Sequence, residues 1–463
     1  MALRKQMFCW VAFLTWGSIS MSGQTAPTDA LKLQPGVVVE QVFPNAIGEK
    51  AGIKEGDVIL RWSRGAIGGE IASPFGLDQI EMEQEPQGAV TLEGLRGSEK
   101  QTWVMGADNW KVKVRPQLAG TLLSVYREAR ELEKANKASA AGRWHAAAMQ
   151  VNSGDHPGLA SWFLLQEAKL WTEKKQWNEA DAAYAEAIHH VEQGEPMIQA
   201  RLLRTWAGSY QQRSDWVNAT KYYHESITAC QKVTSESLMI AGTLNDLGNV
   251  AWYQGDLAQA EKYFRQDLEM TQKIAPGSLD AAATIGNLGN VAWDRGDIAQ
   301  AEQYYRQALE IDQKLAPGGL AVATMFACLG IVANDRGDLA QAEKYFQQDL
   351  EIGQKLAPGK IGVALSLNNL GNVAFERGEF VQAEKYYQQA LKTAQNVDPV
   401  SLQVAGSFSN LGVLADKRGN LTLAEKYEQQ SLTITQKLAP QSPDVANSFN
   451  DLGNLAEQRL SFE

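Results

Sequence analysis

The sequence predicts a mainly α-helical protein, a right-handed solenoid of helical hairpins led by a small β-rich domain. Three observations predict it. A Leu-Gly pair recurs with its glycine at 248, 289, 330, 371, 412 and 453, a constant step of 41 residues. Prolines at 276, 317, 358, 399 and 440 follow the same step, so each unit ends on a helix breaker. Upstream, residues 31–116 lack this step and carry short valine-rich runs between glycine and proline turns.

The first residues read as a targeting segment. Arg4 and Lys5 precede a short apolar run from Met7 to Ile19, and Ser20, Ser22 and Ala26 are small enough for cleavage. Residues 1–26 are therefore expected to be a signal peptide that sends the protein to the periplasm or the extracellular space. An uncleaved membrane anchor is the alternative. The rest of the sequence has no long apolar run, so no membrane span is expected once the signal is removed. The net charge of −11 opposes binding to nucleic acid or anionic lipid, and no basic cluster reverses it. Cys230 and Cys328 lie in different repeats without metal-ligand spacing, and are expected to be buried thiols.

In the β-rich region, Val37, Val38, Val39 and Val42 form a strand, and Pro44-Asn45 turns the chain. Glu49 to Ala51 makes a short helical turn that Gly52 caps. Gly56-Asp57 is a tight turn into a second strand over Val58–Leu60. Phe75 to Glu85 suits a helix, and three strands follow at Ala89–Leu92, Gln101–Val104 and Lys111–Val114. The stretch from Arg64 to Pro74 is a glycine-rich excursion with no clear place.

This order, with Ala51-Gly52-Ile53-Lys54-x-Gly56-Asp57-Val58-Ile59-Leu60 at its heart, resembles a bacterial PDZ domain. The resemblance implies a peptide-binding groove. The loop at Pro35, Gly36 and Val37 would take a peptide carboxylate. The peptide would add as a strand beside Val37, Val38 and Val39, facing Phe75 and Ile80 on the helix. A PDZ-shaped spacer with a closed groove is the alternative.

Repeats fill the remainder. Residues 117–160 read as irregular helix or a degenerate repeat. Residues 161–239 hold degenerate repeats, 240–444 five regular ones, and 445–463 a first helix alone. In Leu288–Pro317, Gly296 ends the first helix by adopting positive φ, and Asp297 caps the second, with Gln300 completing a capping box. Gly289 and Ala301 are small, so the two helices can approach closely. Ile298, Ala301, Tyr305, Ala308 and Leu309 have helical spacing. Each hairpin needs its neighbours to cover its apolar faces.

Leu288, Gly289, Ala301, Tyr305 and Ala308 make the unit resemble a tetratricopeptide repeat (TPR), in the longer form of kinesin light chain. The resemblance implies that the first helix of each pair, helix A, lines a concave binding face. Asn249, Asn290 and Asn372 follow the repeat glycine, and Trp252, Trp293 and Phe375 lie one turn on. Amides there suit a peptide backbone and aromatics suit an apolar anchor. The same residues also suit packing against the adjacent repeat.

Catalytic patterns are absent from the sequence: there is no G-x-S-x-G, no H-E-x-x-H and no phosphate loop. His189 and His190 are expected at the surface, and Glu261-Lys262 and Glu384-Lys385 on solvated helix faces. No cofactor, metal or catalytic residue is expected. The sequence therefore points to an exported, non-catalytic scaffold for proteins or peptides. Self-association through the uncapped last repeat would be open to it. The order of domains also resembles the N-terminal part of PDZ–TPR proteins that end in a caspase-like CHAT peptidase. That resemblance implies, as an alternative, the recognition arm of such a peptidase.

Overall fold

A computed structural model of the chain describes residues 34–44, 46–106, 110–151, 156–440 and 442–462. The expected signal peptide over residues 1–26 lies outside them.

The β-rich region is one antiparallel sheet. The first strand, β1 (Val37–Val42), pairs with β2 (Val58–Arg64) on one edge and with β6 (Val112–Pro116) on the other. β4 (Val90–Arg96) and β5 (Glu99–Met105) extend the sheet beyond β2. The glycine-rich excursion turns back on β2 as β3 (Ile67–Glu70) and leads into α2 (Pro74–Gln84), where Ser73 Oγ accepts the N–H of Gly76. Between β1 and β2 lies the short α1 (Ile47–Lys50). Period-two alternation sends Val37 and Val39 into the core with Ile59, Leu92 and Trp103.

Asp57, the acid of the Gly-Asp turn, is a structural anchor. It is 1% exposed and receives two parallel bonds from Arg96, at 2.8 and 2.7 Å. Arg96 also donates to the carbonyl of Gly52, so the turn is tied to β4. The Arg96 side chain is 34% exposed, so loss of Asp57 strands no buried charge; it removes the tie between the turn and β4, and the bond that Asp57 accepts from the Lys54 N–H at 2.8 Å. Asp57→Ala is therefore expected to loosen the β domain selectively. Amide exchange should rise across β1, β2 and β4 while the solenoid stays protected.

Helices then pair: α3 (Gly120–Ala135) with α4 (Lys137–Met149), α5 (Pro157–Glu173) with α6 (Trp177–Val191), and α7 (Pro196–Gln212) with α8 (Trp216–Gln231). The regular repeats are α9 (Leu238–Tyr253) with α10 (Leu257–Ile274), α11 (Leu279–Asp294) with α12 (Ile298–Leu315), and α13 (Leu320–Asp335) with α14 (Leu339–Leu356). They continue as α15 (Ile361–Glu376) with α16 (Phe380–Val397), and α17 (Leu402–Lys417) with α18 (Leu421–Leu438). The region from 117 to 160 is thus a regular hairpin plus the start of α5, since Pro157 supplies a helix N-terminus four residues before the expected boundary.

The repeat glycines behave as expected. A Cβ on Gly289 would stand 2.5 Å from the Tyr305 ring, and one on Gly330 would stand 2.5 Å from the Phe346 ring. Gly296 has φ +80°, and Asp297 Oδ1 accepts the N–H of Gln300 at 3.1 Å. The reciprocal half of the capping box is not used: the Asp297 N–H bonds the Ala292 carbonyl, which already satisfies it. The final helix, α19 (Pro443–Phe462), does not stop at Leu460. That position holds glycine in the other repeats, and leucine lets the helix continue.

Candidate functional site

The expected groove beside Val37–Val39 is closed. β1 has no free edge there: Val37 and Val38 pair with Ile59 and Val58, and Val37 to Val39 also pair with Pro116 to Val114. An added strand would have to displace β6. Val37 and Val39 are buried, Val38 is half-buried, and only Pro35 of the proposed carboxylate loop is exposed. Gly36 has φ +105° and is packed against Leu60 and the Ile59 carbonyl.

The opposite groove wall, α2, is also taken. Its Ile80 and Leu77 enter the sheet core, whereas Phe75 packs with Leu118, Leu122 and Tyr126 at the start of the helical region. Glu83 binds across to α9: its two carboxylate oxygens each accept a free N–H at that helix N-terminus, from Leu238 and Met239, both at 2.9 Å. Asp78 pairs with Arg201 on α7 at 2.8 Å. Glu40 of β1 accepts the Tyr126 hydroxyl and lies 3.8 Å from Arg130 on α3. The β domain is therefore seated on the face built by the helices A of α5, α7 and α9.

The asparagines and aromatics of the regular repeats have structural partners. The Tyr305 hydroxyl donates to Asn290 Oδ1, and the Tyr387 hydroxyl to Asn372 Oδ1, each at 2.8 Å. These bonds tie helix A to helix B within one repeat. Phe264 has no hydroxyl, and Asn249 donates instead to Asn245 Oδ1. Where Phe346 occupies the ring position, the Asn position is Ile331. The indole N–H of Trp252 donates to Asp294 and that of Trp293 to Asp335, so both bridge to the next repeat. Asn334 makes the same step to Glu376. Phe375 packs with Phe380 in its own repeat core. Of the two readings, these bonds match packing along the array, although Trp293 keeps 37% of its surface exposed. The indoles lie at the repeat seam, and the asparagine carbonyls are engaged. Asn290 nevertheless keeps an edge on the cleft described next.

That cleft, about 960 Å³, lies between the β domain and the helices A of two regular repeats. Ile47, Lys50 and Lys111 form one wall, and Asp280, Asn287 and Asn290 on α11 face them. Asn287 donates to Asn245 at 3.2 Å. Among the described residues, its carbonyl oxygen accepts no bond and can take a peptide N–H.

A ladder of charges was missed in the sequence. Arg295, Arg336, Arg377, Arg418 and Arg459 each reach back to Glu261, Glu302, Glu343, Glu384 and Glu425 of the preceding repeat, at 2.6 Å for Arg377 and 2.5 Å for Arg418. Arg295 and Arg377 also donate to the carbonyls of Leu257 and Leu339. Hydrogen bonds from Arg265, then from Arg295, hold the Glu261 carboxyl below its ordinary range. The expected solvated faces at Glu261 and Glu384 are thus a seam. Both residue types keep the step of 41, and a search at an offset of 34 residues finds them.

Cys230 is buried with Ser237 beside it, and Cys328 is partly buried; both are free thiols. Burial pushes the Cys328 thiol up to about 12, far from a nucleophile's range. His189 is exposed, but His190 is half-buried, contrary to expectation. Among the described residues, no group of three or more metal-ligating side chains is gathered, and no helix is long and apolar enough to cross a membrane.

Comparison with known proteins agrees with the repeat geometry. A tetratricopeptide-repeat profile matches residues 198–273, 239–314 and 321–396, and a second one matches 368–443. Similar solved structures include BtubC (BKLC) from P. vanneervenii, at 21% identity over 49% of this chain and 92% of that one, with a TM-score of 0.44. A tetratricopeptide repeat protein from Parabacteroides merdae matches at 11% identity over 63% and 98%, with a TM-score of 0.45. A STAND protein with a tetratricopeptide repeat sensor, from Pyrococcus horikoshii, matches at 14% over 76% and 53%, with a TM-score of 0.47. No curated protein matches the chain.

Proposed function

Because the chain belongs to the tetratricopeptide-repeat family, we propose that it is a non-catalytic scaffold that holds a peptide segment of a partner protein against its helix-A face. The observation that carries this reading is the cleft bounded by Ile47 and Lys50 on one side and Asn287 and Asn290 on the other. It combines a mixed polar and apolar lining with amide groups that can grip an extended backbone. The β domain, PDZ-like in its strand order, serves in this reading as the second wall of the site. Its own strand-addition groove is filled by β6.

A photo-crosslinking amino acid tests the reading directly. Thr324 lines the cleft, whereas Val381 on α16 is 76% exposed and far along the array. Placed at Thr324 in the full chain, the crosslinker is expected to trap a discrete partner in the cell of origin. Placed at Val381 it should not. Equal trapping from both positions, or none from Thr324, would overturn the proposal.

A further inference from the structure

Buried acids on the second helix of each repeat, helix B, are mostly satisfied. Asp267 accepts from Thr284 at 2.5 Å, Asn245 at 2.9 Å and Thr271 at 2.9 Å. Asp349 accepts from Ser366 at 2.7 Å. Asp312, one turn before the end of α12, is different. It is 3% exposed, and among the described residues nothing donates a hydrogen bond to its side chain and no cation stands in ion-pair distance. The same position one repeat earlier is Thr271, and in the three later repeats it is Gly353, Ala394 and Thr435, so the repeat does not require an acid there. Its oxygens are not fully enclosed, so the carboxylate opens toward solvent, and an acid left there without a protein partner calls for an explanation.

Its location supplies one. Asp312 lines the cleft between the β domain and the repeats, with Asp280 on the neighbouring helix A. Lys50, Lys111 and Lys355 line the same cleft, yet none of them acts on the Asp312 carboxyl, where burial is the sole influence. Burial alone pushes its carboxyl up to about 6, and an arriving cation would lower it again.

We propose that Asp312 is the counter-ion for a lysine or arginine side chain of the peptide held in this cleft. The proposal rests on the scaffold reading above and adds the charge of the residue that the site selects. A cation arriving from the partner would satisfy Asp312 without any rearrangement of the repeat. The net charge of −11 would also favour the approach of a basic segment.

The test uses random dodecapeptides displayed on phage and selected on the full chain. The best binder is then synthesised with its basic residue intact and with that residue replaced by glutamine. Peptides selected on the wild type should carry a common Lys or Arg. Their affinity should fall about tenfold in Asp312→Asn, and by a similar factor for the glutamine peptide. Asp312→Asn removes an unpaired charge, so it should fold at least as well as the parent, checked by circular dichroism. Met325→Trp, which fills the cleft, should abolish binding. Peptides that lose binding to Met325→Trp but bind Asp312→Asn unchanged would overturn the counter-ion and leave the scaffold reading intact. Peptides indifferent to both variants would overturn the cleft as the binding site.

Discussion

Gly289→Val is expected to break the solenoid in two, whereas Gly406→Ala, the same kind of change on an equivalent helix, is expected to stabilise it. A Cβ on Gly289 would sit 2.5 Å from Cε1 and 2.7 Å from Cδ1 of Tyr305. That ring is buried and its hydroxyl is fixed by Asn290, so it cannot swing aside. Overpacking of a rigid core costs about 1–3 kcal/mol even for one methylene, and valine adds two further methyl groups. The gain in helix propensity from glycine to valine, about a few tenths of a kcal/mol, does not offset this. Around Gly406 nothing lies within 4 Å of an added Cβ, so there only the propensity gain remains. Repeat arrays are held by nearest-neighbour contacts, so a failure at α11 and α12 should uncouple the two sides. Thermal unfolding of Gly289→Val should show two separated transitions, with fast amide exchange confined to that repeat. A single transition shifted by only a degree or two would show that the ring can yield.

How much of this was legible depends on sequence distance. The hairpins were readable because the step of 41 repeats every signal: the glycine, the cap at Asp297, the break at Pro317. The strands of the β domain were readable from local alternation. The closing of its groove was not, because the second partner of β1 is β6, which begins 70 residues after β1 ends. Docking of α2 was equally hidden, since Glu83 meets the N-terminus of α9 at Leu238, 155 residues away. Roles of the repeat asparagines could have been inferred from the repeats themselves. Tyrosine stands opposite asparagine at 305 and 387, while Phe346 stands opposite Ile331. A hydroxyl is kept where an acceptor faces it and lost where none does. Phe264 opposite Asn249 departs from this pattern, and there the amide turns to Asn245.

The last of these ring positions carries the second large effect, because it is Glu428 rather than an aromatic. Its carboxyl lies over Gly412 as the rings lie over the other repeat glycines, and it is 1% exposed. One oxygen accepts from Ser409 at 3.3 Å, and the other has no partner among the described residues. Burial, reinforced by Asp451 on α19 and opposed by the Ser409 bond, pushes the carboxyl up to about 7. The folded state therefore holds this proton more tightly than the unfolded chain, whose glutamate titrates near 4.5. Stability from this site is complete below the unfolded value. It declines as pH rises between the two values and is lost once pH passes the folded one. The full difference is about 3 kcal/mol, an upper figure given relaxation of the end of the array. At pH 8 the pair α17/α18 and the packing of α19 should thus be loosened, and at pH 5 they should be firm. Glu428→Gln should remove most of that contrast, read as amide protection factors in α17 to α19, corrected for the intrinsic rate at each pH. Glu428→Phe should go further. Val413 occupies the place opposite, as Ile331 does for Phe346, so an apolar ring is the matched residue and should protect these helices at both pH values. Equal protection factors in the parent at pH 5 and pH 8 would mean that the carboxyl finds water or a cation once it ionises. In that case neither substitution would change the pH response.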